Sequence, residues 1–393
     1  MTALDGIRVL DISQGVPGPF CTKFLASFGA SVTKVEPLDG EPGRRLAPLA
    51  SDEAGETYSP FFLYLNTGKL GLAIDAGSDA GVAVLRRLAA LSDVIVTSSE
   101  AGAHPLGLSP AELAEAAPAA LVVSVSAYGE DGPWADRRSN DLLTYAQSGW
   151  ASVTGEPERA PLKGSGYQAS FQAGIAAVMT VLAGLLQRQR DGVGQCADVA
   201  MLDALAVTFA PALLQAQFNG RDNTRRAAGF PVGPVPAKDG YFVLTTSRAH
   251  FWRDAMNELG LHELAEDERF SDPSARQELY SEVAPLVEER IGKRGRAELF
   301  HKLGVLRVPS GMVVEVDEMF DNEQLRARGF FETPPPGGFP ELAYPGAPFE
   351  LSATPWLTPR GAPRIGEHSD KVLRRAGFAP LEIAALRESK VIA

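Results

Sequence analysis

The chain has 393 residues and a formal net charge of −12, with 45% hydrophobic and 22% charged residues. This is the balance of a globular protein with a large core, and at roughly 150 residues per domain the length predicts two or three domains. The acidity argues against nucleic acid or an anionic membrane as the main partner, because phosphate binding needs a surplus of Lys and Arg.

Two cysteines, Cys21 and Cys196, cannot build a disulfide framework, and neither has neighbours that suggest a zinc site. The stretch MTALDGIRVLDISQ carries Asp5 where a signal peptide needs an apolar core, and no apolar run reads as transmembrane. The expectation is a cytoplasmic enzyme or enzyme subunit without a membrane partner.

In chain order, Ile7–Ile12 reads as a buried strand, followed by a turn with Gly15, Pro17, Gly18 and Pro19 and a helix over Phe20–Phe28 stopped by Gly29. Ser31–Val35 is the next strand, then a Pro/Gly-rich loop over Pro37–Gly43. Leu72–Ile74, Val94–Thr97 and Leu121–Ser126 are further strands, separated by helices over Val82–Leu91 and Pro110–Ala116. This alternation predicts a parallel, doubly wound α/β sheet. The first turn lacks the third glycine of a dinucleotide fingerprint, which disfavours NAD. Residues 168–190 form the longest predicted helix, apolar nearly all round and therefore buried or in an interface. Cys196–Val199 reads as a strand and Met201–Gln217 as one helix. From about residue 222 the texture changes: Pro231, Pro234, Pro236 and Asp239-Gly240 lead into a strand over Tyr241–Thr246 and helices near 250–260, 275–292 and 295–303. Pro334-Pro335-Pro336-Gly337-Gly338 reads as a linker, and helices over Asp370–Ala376 and Pro380–Ser389 close the chain.

The five histidines are scattered, with no metal-ligand spacing, so no metal is expected. No Gly-x-Ser-x-Gly elbow or phosphate loop occurs, which removes triad hydrolases and nucleotide hydrolases. Lys34, Arg44, Arg45 and Lys69 fall near predicted strand ends, where open parallel sheets bind ligands, and could hold an anion such as a nucleotide phosphate; ordinary solvated surface charge is the competing reading.

Several motifs then occur in one order. They are Asp11-Ile-Ser-Gln-Gly-Val-Pro-Gly18-Pro19-Phe20-Cys21-Thr22, Gly29–Glu36, Asn66-Thr-Gly-Lys69, Leu72-Ala-Ile-Asp75, Tyr128-Gly129-Glu-Asp-Gly132-Pro133 and Asn140-Asp141. Further on come Arg188-Gln-Arg-Asp-Gly192-Val-Gly194-Gln195, Asp198-Val-Ala-Met201-Leu-Asp203 and Gly366-Glu367-His368. Each is weak alone. As an ordered set over nearly the whole chain they resemble the family III CoA-transferases, which include formyl-CoA and carnitine CoA-transferases and the α-methylacyl-CoA racemases.

The resemblance implies a Rossmann-like large domain plus a small α+β domain in an interlocked dimer. It places the first part of the large domain at 1–222, the small domain at 223–330, and a linker with the C-terminal return at 331–393. Coenzyme A or an acyl-CoA would be the substrate, with a small carboxylic acid as the second partner. The positions matching the family's CoA contacts are Val16, Arg44, Arg45, Asn66 and Lys69.

In the family one aspartate attacks the thioester, passing through a mixed anhydride to an enzyme-bound thioester. The family pattern Ala-Asp-x-x-Ala-Gly falls on Ala169-Ser170-Phe171-Gln172-Ala173-Gly174, which puts Ser170 at the aspartate's position. A serine ester is far less activated, and the sequence shows no base beside Ser170. The racemase pair is disfavoured too, since Asn140 and Ser170 stand where its two proton-transfer groups would be.

Two readings follow from the resemblance. One is a CoA-thioester enzyme with altered chemistry, drawing on Ser170, Gln168 or Asp141. The other is a non-catalytic subunit paired with a catalytic paralogue, as in the benzylsuccinate CoA-transferase type; homodimer and heterodimer both stay open. Phe20, Trp134, Tyr145, Trp150 and Phe171 are candidates for an apolar acyl pocket, though aromatics at such spacing are more often core.

Overall fold

The computed structural model describes residues 2–51, 55–220, 225, 233–333 and 342–393. Pro231 and the predicted linker Pro334–Gly338 lie outside the described residues. The chain divides into two compact units, one comprising Met1–Thr224 with Gly329–Ala393, the other Arg225–Arg328.

Segments too short for helices make the strands of the six-stranded sheet of the larger unit. They are β1 (Arg8–Asp11), β2 (Ser31–Glu36), β3 (Leu70–Ala73), β4 (Val94–Ser98), β5 (Leu121–Ser126) and β6 (Gln195–Ala200). All pairings are parallel, in the order β3-β2-β1-β4-β5-β6. β5 is buried at every position, as expected of a strand covered on both faces. The order reverses between β1 and β4, so a crevice opens beyond their carboxyl ends.

Local chemistry sets where the helices start. α1 (Pro17–Ser27) begins three residues before the sequence reading of Phe20, because proline fits the first helical turn, where its missing N–H costs nothing. α2 (Pro60–Asn66) was not foreseen; Ser59 caps it by accepting from the amide of Phe62. α3 (Asp79–Ala90) starts on Ser78, which accepts from the amide of Gly81, and α4 (Pro110–Ala116) starts on a Ser109/Glu112 capping box. α5 (Asp141–Gln147) was also missed: Asn140 caps it, its side chain accepting from the amide of Leu143 at 3.0 Å.

α6 (Gln168–Asp191) is long and apolar enough to cross a bilayer by length and composition, where the sequence reading found no such run. Its buried face is a stripe of small residues, Ala169, Ser170, Ala173, Gly174, Ala177, Val181 and Gly184, packed on α1 and β5. Glycine is required at 174, since a Cβ there would lie 2.9 Å from the Pro17 carbonyl. The predicted helix over 201–217 is two, α7 (Met201–Thr208) and α8 (Ala210–Asn219), bent by 62°. Pro211 in the first turn of α8 accounts for the break.

The C-terminal segment returns to the larger unit. The Leu357 amide donates to the Ser27 carbonyl, Gly68 to Arg360, and Asp75 to Val391, while the Gly71 amide donates to His368 Nδ1 at 3.2 Å. Helices Ser369–Arg375 and Pro380–Glu388 close the chain as the sequence predicted. The smaller unit holds the antiparallel sheet of Val235–Ala237, Gly240–Leu244 and Ser310–Met312, whose core includes Phe242, Trp252, Val287 and Leu299.

Candidate functional site

Two neighbouring constructions meet at α1 and α6. The first is a buried ion network under the loop after β1. Asp11 ends β1 with no exposed surface; Thr22 Oγ1 and Lys69 Nζ donate to its Oδ2 at 2.6 and 2.8 Å. Lys34 Nζ lies 3.8 Å from Asp11 Oδ1 and 3.5 Å from Glu41 Oε1, and donates to the Ser13 carbonyl. Glu41 Oε2 accepts from the amides of Gly15 and Gly43. Arg44 forks onto Glu36 with two contacts of 2.7 Å. Three carboxylates face three cations, the condition under which buried charge is tolerated.

Burial alone would raise the Asp11 pKa, but Lys34 and Lys69 outweigh it and hold the carboxyl below its usual range. Lys69 is pushed down to about 8, first by burial, although Asp11 pulls the other way. Lys34 is raised: burial would lower it, and Asp11 and Glu41 overcome that. The network fixes the loop Ser13–Val16 at the switch point, where the Gln14 amide donates to Ser98 Oγ of β4 at 3.1 Å.

The second construction is the start of α6. Asp141, at the first turn of α5, accepts through Oδ1 from both the amide and the hydroxyl of Ser170, at 2.8 and 3.0 Å. Lys163 Nζ lies 2.9 Å from Asp141 Oδ2 and also donates to the carbonyls of Gly164 and Gly166. An orphan amide in the first turn of α6 thus receives a carboxylate from another helix. This corrects the expectation that no base stands beside Ser170: the base comes from 29 residues away in sequence.

The anion-holding group read from the sequence divides in space. Lys34 and Lys69 have no exposed surface, and their ammonium groups face carboxylates. Asn66 is buried as well, donating to the Phe62 carbonyl and accepting from Lys69. Arg44 is half-buried on Glu36, while Arg45 is exposed. Val16 lies at the head of α1.

Of the five candidate pocket aromatics, Phe20 and Phe171 meet with ring centroids 4.7 Å apart. Trp134 packs on Tyr128 and Trp150 on Phe209, while Tyr145 lies under Lys163. Sequence reasoning missed Glu41, Phe61, Lys163 and Tyr167. For Asp141 a signal existed, since Asn140-Asp141 is a helix-start dipeptide. The described residues contain no group of three or more His, Cys, Asp or Glu able to hold a metal ion.

The model of CoA-transferase family III matches residues 4–369. The chain belongs to that family. It is 31% identical over 381 residues to succinate–glutarate CoA-transferase of Agrobacterium fabrum, covering 94% of each protein. It is 32% identical over 391 residues to the BbsE subunit of succinyl-CoA:(R)-benzylsuccinate CoA-transferase of Thauera aromatica, covering 96% of this chain and 95% of that one. Among solved structures, a CaiB/BaiF family protein from Brucella suis superposes with a TM-score of 0.87 at 28% identity, covering 95% of this chain and 99% of that one. The α/β fold with its central parallel sheet is therefore that of a family III CoA-transferase, as the sequence motifs led us to expect.

Proposed function

We propose that this chain binds an acyl-CoA and serves CoA transfer between carboxylic acids as the subunit that does not supply the nucleophile. The observation that carries this reading is the Ser170–Asp141–Lys163 arrangement. The start of α6, where the family resemblance puts an attacking aspartate, offers a hydroxyl. The carboxylate beside it has Oδ1 engaged by two donors and Oδ2 facing an ammonium. A carboxylate so held is stabilised as an anion and poorly disposed to attack a thioester.

The rest of the reading concerns binding. A CoA phosphate would meet the head of α1 at Val16, where the helix dipole favours an anion. Exposed Arg45 would supply charge, and Arg44, Asn66 and Lys69 would set the loops from beneath. The likeness to BbsE, itself named as a subunit, and to the succinyl-CoA–L-malate CoA-transferase alpha subunit of Chloroflexus aurantiacus supports a paired assembly. So does an apolar face on α6 formed by Ile175, Met179, Leu182 and Leu186, all exposed at helical spacing. We assign that face to a second family III chain carrying the missing carboxylate, in the interlocked dimer that the family resemblance implies.

The test is thioester exchange followed by mass spectrometry, with the purified chain, succinyl-CoA and a panel of carboxylates. The chain alone is expected to bind CoA in calorimetry and to give no exchange, whereas Ser170→Asp gains it. Turnover by the unmodified chain would overturn the subunit reading.

A further inference from the structure

Residues alternate faces along a strand, and a parallel strand is ordinarily covered on both. β2 departs from this at its start: Val32 and Lys34 are buried, whereas Ser31 is exposed and Thr33 half-buried. Both uncovered residues line a cleft of about 120 Å³ at the amino edge of the sheet, the edge opposite the loop Ser13–Val16. α3 ends at Ala90 and the helix Ser369–Arg375 has only seven residues, so both stop short of this part of β2. The floor between them is apolar, with Leu10, Leu70, Leu88 and Val372.

The rim is cationic in a chain of net charge −12: Arg8 and Arg375 line the cleft, and no Asp or Glu does. The amide and Nε of Arg8 donate to Asp93 Oδ2 at 2.8 and 3.3 Å, and Arg188 Nη2 lies 3.1 Å from Asp93 Oδ1. One carboxylate is thus shared by two arginines. Among the described residues, the terminal nitrogens of Arg8, the Arg375 guanidinium and the hydroxyls of Ser31 and Thr33 have no partner. Two helix C-termini end at the cleft and would oppose an anion. Their carbonyls are already answered: Arg87 donates to those of Ala376 and Gly377 at 2.9 and 2.8 Å, and Ser92 Oγ to that of Leu88 at 2.8 Å.

A hydrocarbon floor under two arginines and two open hydroxyls suits a carboxylate head on an apolar tail. Size sets the tail. An apolar cavity of about 150 Å³ takes a benzene ring, so about 120 Å³ takes a chain of about four carbons. A second carboxylate on that chain would fall on the leucine floor without a partner. We propose that the cleft is a second ligand site, for a short-chain aliphatic monocarboxylate, with Arg8 and Arg375 on the carboxylate and Leu10, Leu70 and Leu88 on the tail. It lies apart from the acyl-CoA site and does not depend on that reading.

Saturation-transfer NMR on the full chain tests it, with butyrate, acetate and n-butylammonium as probes. Butyrate is expected to bind with a Kd of about 1 mM, and acetate about tenfold more weakly because it lacks two methylenes. n-Butylammonium should not bind. Arg375 is exposed and unpaired among the described residues, so Arg375→Ala should keep the parent's melting temperature while weakening butyrate at least about fivefold. Arg375→Glu should lose butyrate and gain n-butylammonium. Butyrate binding left unchanged by Arg375→Ala would overturn the proposal by placing the acid elsewhere. Acetate matching butyrate, or no butyrate binding at about 10 mM, would overturn it as well.

Discussion

Replacing Asp141 by alanine tests the site most directly. The change removes the acceptor for the amide and hydroxyl of Ser170 and the counter-ion of Lys163. Ser170 is only 5% exposed, so water cannot readily take over its amide. Hydrogen bonds to a charged group contribute about 1.5–3 kcal/mol each, and stranding buried partners costs a similar amount. Asp141→Ala should therefore cost about 3–5 kcal/mol. Asn at the same position keeps an oxygen for both donors and loses only the charge, for a cost of about 1–2 kcal/mol. Ser170→Ala retains the amide bond and should cost about 1 kcal/mol.

Urea unfolding gives the ranking, and amide exchange read by mass spectrometry localises it. Exchange at the α6 start should accelerate in Asp141→Ala and barely change in Ser170→Ala. An Asp141→Ala protein within about 0.5 kcal/mol of the parent and with unchanged exchange at Ser170 would refute the arrangement, because no buried charge-assisted pair is that weak.

The remaining predictions concern buried charge. Burial pushes Lys23 down to about 8, with Glu332 pulling the other way. Its unfolded form holds the proton longer, so stability should rise with pH between about 8 and 10.5, regaining about 3 kcal/mol that is lost at lower pH. Lys69, also near 8, acts with the same sign, so in denaturant titrations across that window Lys23→Met should roughly halve the rise; an unchanged slope would exclude Lys23 as its source. Asp11→Ala should cost about 3–5 kcal/mol by leaving Lys69 and Lys34 without their shared partner. A melting temperature near the parent's would show that the network is not structurally coupled.

How much was legible in the sequence depended on whether a feature is local. Strands such as Val94–Ser98 and Leu121–Ser126 showed as continuous β-branched runs, and α6 showed from its length and its Gly192 stop. Short helices did not show. Pro60–Asn66 is an apolar run with no helical alternation, and Asp141–Gln147 is too short to display a period. The break between α7 and α8 rests on one proline in a stretch otherwise suited to helix throughout.

The same division holds at the site. The sequence by itself determined the parallel-sheet layout, the absence of a dinucleotide turn, and a serine where the family resemblance puts an aspartate. Those follow from neighbouring residues and can be read off in order. Only the tertiary structure decided what each charge faces. Lys34 and Lys69, apparently available to an anion, close on Asp11, and Ser170, apparently without a base, donates to Asp141. Chemical character here depends on distance and burial, and chain folding sets both between residues tens of positions apart.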